Sequence, residues 1–128
     1  MADKTLESLV PPLDLCYRLY PQDFSDSIFV WAIGPNGNRI LVQRNYHVLL
    51  NNEQVVLHYE GIAAPTYEEI MNAIRKLKCE RLICSMQPVG WSVVCWLNGE
   101  CHIEIDRRAV LAALKVWFEL KGIKYDAR

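Results

Sequence analysis

Two Asn-Gly dipeptides, Asn36-Gly37 and Asn98-Gly99, each stand between runs rich in β-branched and aromatic residues. Asn and Gly both accept positive φ, so the pair forms a tight turn whose twist matches that of two antiparallel strands. This predicts one hairpin from residues 28–33 and 39–45, and a second from residues 91–97 and 100–105. With Asn36-Gly37 as turn centres, Ile33 faces Ile40 and Trp31 faces Val42, with Phe29 on the same face. In the second hairpin Trp96 faces Cys101 and Val94 faces Ile103, with Ile105 beyond. Their apolar character marks them as the core face. The opposite face carries Cys95 across from His102, with Glu104 two residues along.

Around the hairpins the pattern alternates in blocks. Residues 1–10 carry no strong signal and are expected to fray. Pro11-Pro12 opens a short helix over 13–20, with Leu13, Cys16, Tyr17 and Tyr20 on one face, and Pro21 ends it. Residues 23–27 read as a polar loop. Residues 47–50 and 54–59 are further strand, broken at Asn51-Asn52. Thr66 and Glu69 have capping-box spacing, and Tyr67, Ile70, Met71, Ile74 and Leu77 form one stripe, predicting a helix over 66–77. Residues 81–86 read as strand. Asp106 is the expected cap of a last helix whose stripe is Val110, Leu111, Leu114, Trp117 and Phe118. Gly122 followed by Ile123 suits a Schellman ending. The expectation is a single α+β domain over 1–128. It has a mainly antiparallel sheet of about six strands, two amphipathic helices on one face and a short N-terminal helix. A hairpin-plus-helix unit repeated twice is the alternative.

Several function classes are disfavoured. The 128 residues carry a net charge of −1, so no global field pulls toward nucleic acid or anionic lipid. The order helix, three strands, helix is that of a double-stranded-RNA-binding domain. The place of its phosphate-gripping cations, however, holds Glu68 and Glu69. Residues 1–65 have four basic and seven acidic groups, and residues 66–128 ten and eight. Arg75, Lys76, Lys78 and Arg81 form a small cationic cluster, the candidate site of the nucleic-acid alternative. Its place at a helix end marks these charges first as dipole partners. The longest apolar runs are six residues, residues 28–33 and 109–114, far short of the roughly 20 of a spanning helix. With no secretory leader read at the N-terminus, the expected location is the cytoplasm and no membrane partner is expected.

Five cysteines in such a chain point to reduced thiols. Cys79, Cys84, Cys101 and His102 match no common zinc spacing, so no obligatory metal is expected. No P-loop, GxGxxG, GxSxG or HExxH motif occurs, and no cofactor is expected. The sharpest chemical constellation is Cys95, His102 and Glu104. An imidazole beside a thiol lowers its pKa, and a carboxylate orients the imidazole, which is the chemistry of a small thiol hydrolase. The competing feature is aromatic: Trp91, Tyr46 and Tyr59 are candidate anchors for a protein partner or a second copy.

Four strings occur in order: Val10-Pro11-Pro12-Leu13; Phe24-Ser25-Asp26-Ser27; Ala64-Pro65-Thr66-Tyr67-Glu68-Glu69-Ile70; and Ala109 with Ala112-Ala113-Leu114-Lys115-Val116-Trp117. From about residue 10 to residue 123 the chain resembles small uncharacterised proteins encoded in prophages and mobile elements of gut bacteria. The resemblance implies an accessory binding role and brings no activity, cofactor or catalytic residue. The expectation is a small cytoplasmic protein acting by protein–protein binding or self-association, with thiol hydrolysis and weak nucleic-acid binding as alternatives.

Overall fold

The structure is a computed structural model that describes residues 4–125. It is α+β with antiparallel sheets, and the chain divides into two compact units, residues 1–66 and 67–128. The expected single six-stranded sheet is instead three sheets, of three, two and three strands. The division leaves both long helices with the second Asn-Gly hairpin, so a twice-repeated hairpin and helix is not what forms.

The first unit begins with α1 (Lys4–Glu7) and α2 (Leu13–Cys16), followed by a 3-10 helix, Pro21–Phe24. The expected helix over 13–20 stops early. Leu19, rather than Tyr17 or Tyr20, turns inward, and both tyrosines are exposed. Val10 is fully buried, so the later part of the stretch expected to fray is anchored, while residues 1–3 lie outside the described residues. Next come β1 (Phe29–Ile33), β2 (Arg39–Gln43), β3 (Asn45–Leu50), β4 (Glu53–His58) and β5 (Ile62–Ala64). The central strand β1 pairs with β2 and β5, and β3 pairs with β4.

The register of the first hairpin is one residue from the expected one: Trp31 faces Leu41 and Ala32 faces Ile40. The loop explains the slip. Gly37 N–H donates to the Gly34 carbonyl at 3.0 Å, and Gly34 N–H to the Asn38 carbonyl at 2.7 Å. Pro35-Asn36 are thus the turn centres and Gly37, at φ 81°, the left-handed residue of a three-residue loop. Leu41 therefore joins Phe29, Trp31, Val10, Cys16 and Ala64 in the core. Asn51 and Asn52, expected only as a break, are themselves a tight turn with φ of 50° and 64°. They close the β3–β4 ribbon.

The second unit contains α3 (Tyr67–Lys76), β6 (Arg81–Gln87), β7 (Gly90–Leu97), β8 (Glu100–Asp106) and α4 (Ala109–Lys121). Helix α3 buries Ile70, Met71 and Ile74, as its stripe requires. Helix α4 packs on β7, β8 and α3, and buries seven of its thirteen residues, far more than one stripe. Its cap is Arg108, not Asp106. The Asp106 carboxylate accepts the Arg108 N–H at 3.3 Å and pairs with Lys115 at 2.8 Å. The far end closes as expected: Gly122 sits at φ 69° and Ile123 N–H reaches the Phe118 carbonyl at 2.8 Å.

Gly90, at φ 146°, starts β7 where no side chain fits. A Cβ there would lie 2.5 Å from the Asp106 carbonyl oxygen, which is backbone and cannot swing away. Gly90→Ala should lower unfolding stability by about 2–4 kcal/mol. Gly99→Ala, strained at φ 80° but in open space, should cost about 1 kcal/mol. Urea titration of both variants checks this, and equal costs would contradict the close-approach account.

Candidate functional site

The second hairpin has the expected register. Cys95 faces His102, Trp96 faces Cys101 and Val94 faces Ile103. Its faces are the reverse of those expected. Helix α4 covers the side of Val93, Cys95, His102 and Glu104, and Val93 and Cys95 have no exposure. The supposed core face is largely outside: Trp96 is 41% exposed, Ile105 46% and Ile103 55%, Cys101 is exposed and Val94 half-buried, and Ile83 of β6, opposite Val94, is 38% exposed.

This reversal removes the chemistry expected of Cys95. Burial pushes its thiol up to about 12, and neighbouring Cys79 adds to the effect. That is the opposite of the depressed pKa a nucleophile needs. Nor is His102 aimed at the thiol. Its Nδ1 lies 3.3 Å from Glu119 and its Nε2 3.8 Å from Glu100. Glu104 turns to α4 and the tail, accepting the Tyr125 hydroxyl at 3.1 Å. Burial raises Glu104 to about 7, helped by a hydrogen bond with Glu119 that favours the protonated form. Together, His102, Glu104 and Glu119 lie between sheet and helix, with no activated nucleophile among them.

The other candidates separate. Trp91 lies on the α4 side of β7, half-buried, and is not a projecting anchor. Tyr46 and Tyr59 are exposed at 47% and 37%, both at the base of the β3–β4 ribbon, where Tyr46 faces Leu57 and Tyr59 N–H donates to the Arg44 carbonyl at 2.7 Å. Arg75, Lys76, Lys78 and Arg81 are all exposed, at the end of α3 and the start of β6. Arg75 donates to Asn72 at 2.8 Å, an ordinary bond along a helix surface. Among the described residues no cluster of His, Cys, Asp or Glu is suited to hold a metal. No helix among them is long and apolar enough to cross a membrane.

Two features were missed from sequence. One is the outer face of β6–β7–β8, where Ile83, half-buried Val94 and Ile103 form a row across three strands, with exposed Trp96 and Ile105 on either side and Ser92 buried beside Ile105. The other is a cleft of about 760 Å³ in the first unit, lined among others by Tyr17, Tyr20, Asp26, Arg44, His58 and Glu60. Its polar groups largely serve one another. His58 bonds Asn45 at 2.7 Å and Glu60 at 2.8 Å, and Arg44 donates twice to Ser27 at 2.9 Å. These bonds brace the base of the β3–β4 ribbon. No sequence signal pointed to the cleft, because its lining comes from four separated segments.

No protein-family model matches the chain, and no curated protein or solved structure matches it significantly.

Two outcomes check this geometry. Native alkylation with iodoacetamide near neutral pH should modify exposed Cys101 first and leave Cys16 and Cys95 unmodified until unfolding. Rapid reaction at Cys95 would restore the hydrolase reading. The raised Glu104 means the folded state holds a proton the unfolded chain has lost between its ordinary value and about 7. Stability from that proton is present below the ordinary carboxylate range and is lost as pH rises through about 7. Discounted for solvent, the effect is about 1 kcal/mol, a fall of a few degrees in Tm from roughly pH 5 to 8. Glu104→Gln should flatten it, and an unchanged pH profile in that variant would contradict the assignment.

Proposed function

We propose that the chain is a small cytoplasmic accessory protein of phage or mobile-element origin that acts by protein–protein contact, without catalysis. The observation that carries this reading is the group of exposed apolar side chains on the outer face of β6–β7–β8: Ile83, Trp96, Ile103 and Ile105. An antiparallel sheet with one face on its core normally turns polar residues to water on the other. Here the outward positions of the central row are Ile83, Val94 and Ile103. Large apolar side chains exposed together on one face of a small protein favour an interaction surface. Trp96 supplies an aromatic anchor at its edge, and the exposed Arg81 beside it offers one charge to a partner carboxylate.

Five unpaired thiols suit a reducing compartment, which favours the cytoplasm. Hydrolysis is disfavoured by the buried, raised thiol of Cys95. Nucleic-acid binding is disfavoured because, among the described residues, only Arg81 of the four clustered cations sits opposite an exposed aromatic, Trp96, which is short of a basic stripe interleaved with aromatics.

The test is a pull-down from host lysate, with and without nuclease, using the tagged chain and its Ile103→Lys variant. Ile103 is more than half exposed, so the variant should keep its fold by circular dichroism. A stoichiometric protein held by the wild type and lost at least tenfold by the variant is the expected result. Equal recovery by both, or material that disappears with nuclease, would overturn this surface as the site.

A further inference from the structure

The β3–β4 ribbon is a sheet of two strands, six residues each, with exposed apolar side chains on both faces. Tyr46 and Leu50 project on one side, and Leu49 and Val56 on the other. Two strands alone are marginally stable in water, and a third or fourth is the usual remedy. β4 occupies one edge of β3, and among the described residues no strand pairs with the other. Natural edge strands are guarded by Lys, other charges, Pro or a bulge. The sequence of β3, Asn45-Tyr46-His47-Val48-Leu49-Leu50, has no acidic residue, no Lys or Arg, and no Pro.

We propose that this edge of β3 pairs antiparallel with the same edge of a second copy, about a twofold axis at Val48. The occupant follows from self-complementarity. A twofold perpendicular to the sheet keeps each face on its own side, so the pairing must join residues of one face. Centred on Val48, it sets Tyr46 opposite Leu50 of the second copy, Val48 opposite Val48, and His47 opposite Leu49. Each pair is aromatic–aliphatic or aliphatic–aliphatic, or sets an imidazole against an aliphatic chain, and no like charges meet. The product is a four-stranded sheet ordered β4-β3-β3-β4, with Val55 and Leu57 extending the apolar face at both ends. A partner of different sequence gains no such match from this uncharged edge. The contact is about 17 Å long, the five residues 46–50 at the strand rise. That places its area at the low end for specific association.

The inference deepens the binding reading at a second place on the chain, and its test is independent of the Ile103 surface. Sedimentation equilibrium of the full chain from about 1 to 300 µM should show a monomer–dimer equilibrium, in the range expected for a small interface. Val48→Lys should shift the dissociation constant at least tenfold upward with unchanged circular dichroism. In a Cys101→Ser background, Val48→Cys should form a symmetric disulfide under mild oxidation, because directly opposed Cβ atoms lie about 5 Å apart. Leu57→Cys should not, because the two outer strands are about 14 Å apart across three strand spacings. A monomer throughout, with no Val48→Cys cross-link, overturns the proposal. So does a dimer that survives Val48→Lys, and loss of that dimer on Ile103→Lys would transfer self-association to the β6–β7–β8 face.

Discussion

Helix α4 settles the second unit. Its apolar residues run nearly around the cylinder, and seven of thirteen are buried, so it needs cover on more than one side. It takes that cover from β7 and β8 on one flank and from α3 on the other. One sheet face is consumed by this docking and the other is left to water. The pairs Lys115–Asp106 and His102–Glu119 fasten the helix at points along the strands, and Tyr125 reaches Glu104 beyond the helix end. With those contacts made, the Ile83–Val94–Ile103 row has no partner in this unit. The exposed patch is thus a consequence of how α4 is buried, not a separate feature.

The same docking decides the chemistry. A thiol and an imidazole opposite one another on a strand pair can form a nucleophile only where solvent and substrate reach them. Under α4 the thiol of Cys95 is dehydrated and its pKa rises, while the imidazole is held by carboxylates. The polar groups of that face become the means by which helix and sheet are latched together. Exposed apolar β-structure remains on the β6–β8 face and along β3.

Much of this was legible in the residues, and the failures have physical causes. Asn98-Gly99 allowed the second register to be read to the residue, because a two-residue loop admits one pairing. Asn36-Gly37 misled by one position, because Pro35 moved the turn upstream and left Gly37 as the left-handed third residue. Asn51-Asn52 reads in sequence only as a break between strands, although Asn itself visits the left-handed region and both residues sit there. The inside-out reading of the second hairpin has a deeper source. Periodicity of two sorts side chains onto faces but cannot say which face is covered when both carry apolar residues. Val94, Trp96 and Ile103 looked more like a core than Cys95, His102 and Glu104, and only the placement of α4 separates them.

The face assignment is tested most directly by solution NMR of isoleucine methyl groups in the presence of a soluble gadolinium chelate. The account predicts strong paramagnetic relaxation of the Ile83, Ile103 and Ile105 methyls, and protection of Ile70 and Ile74, which are buried in α3. Protection of Ile103 at dilutions where the protein is monomeric would contradict it, because α4 or another part of the chain would then be covering the face proposed for a partner.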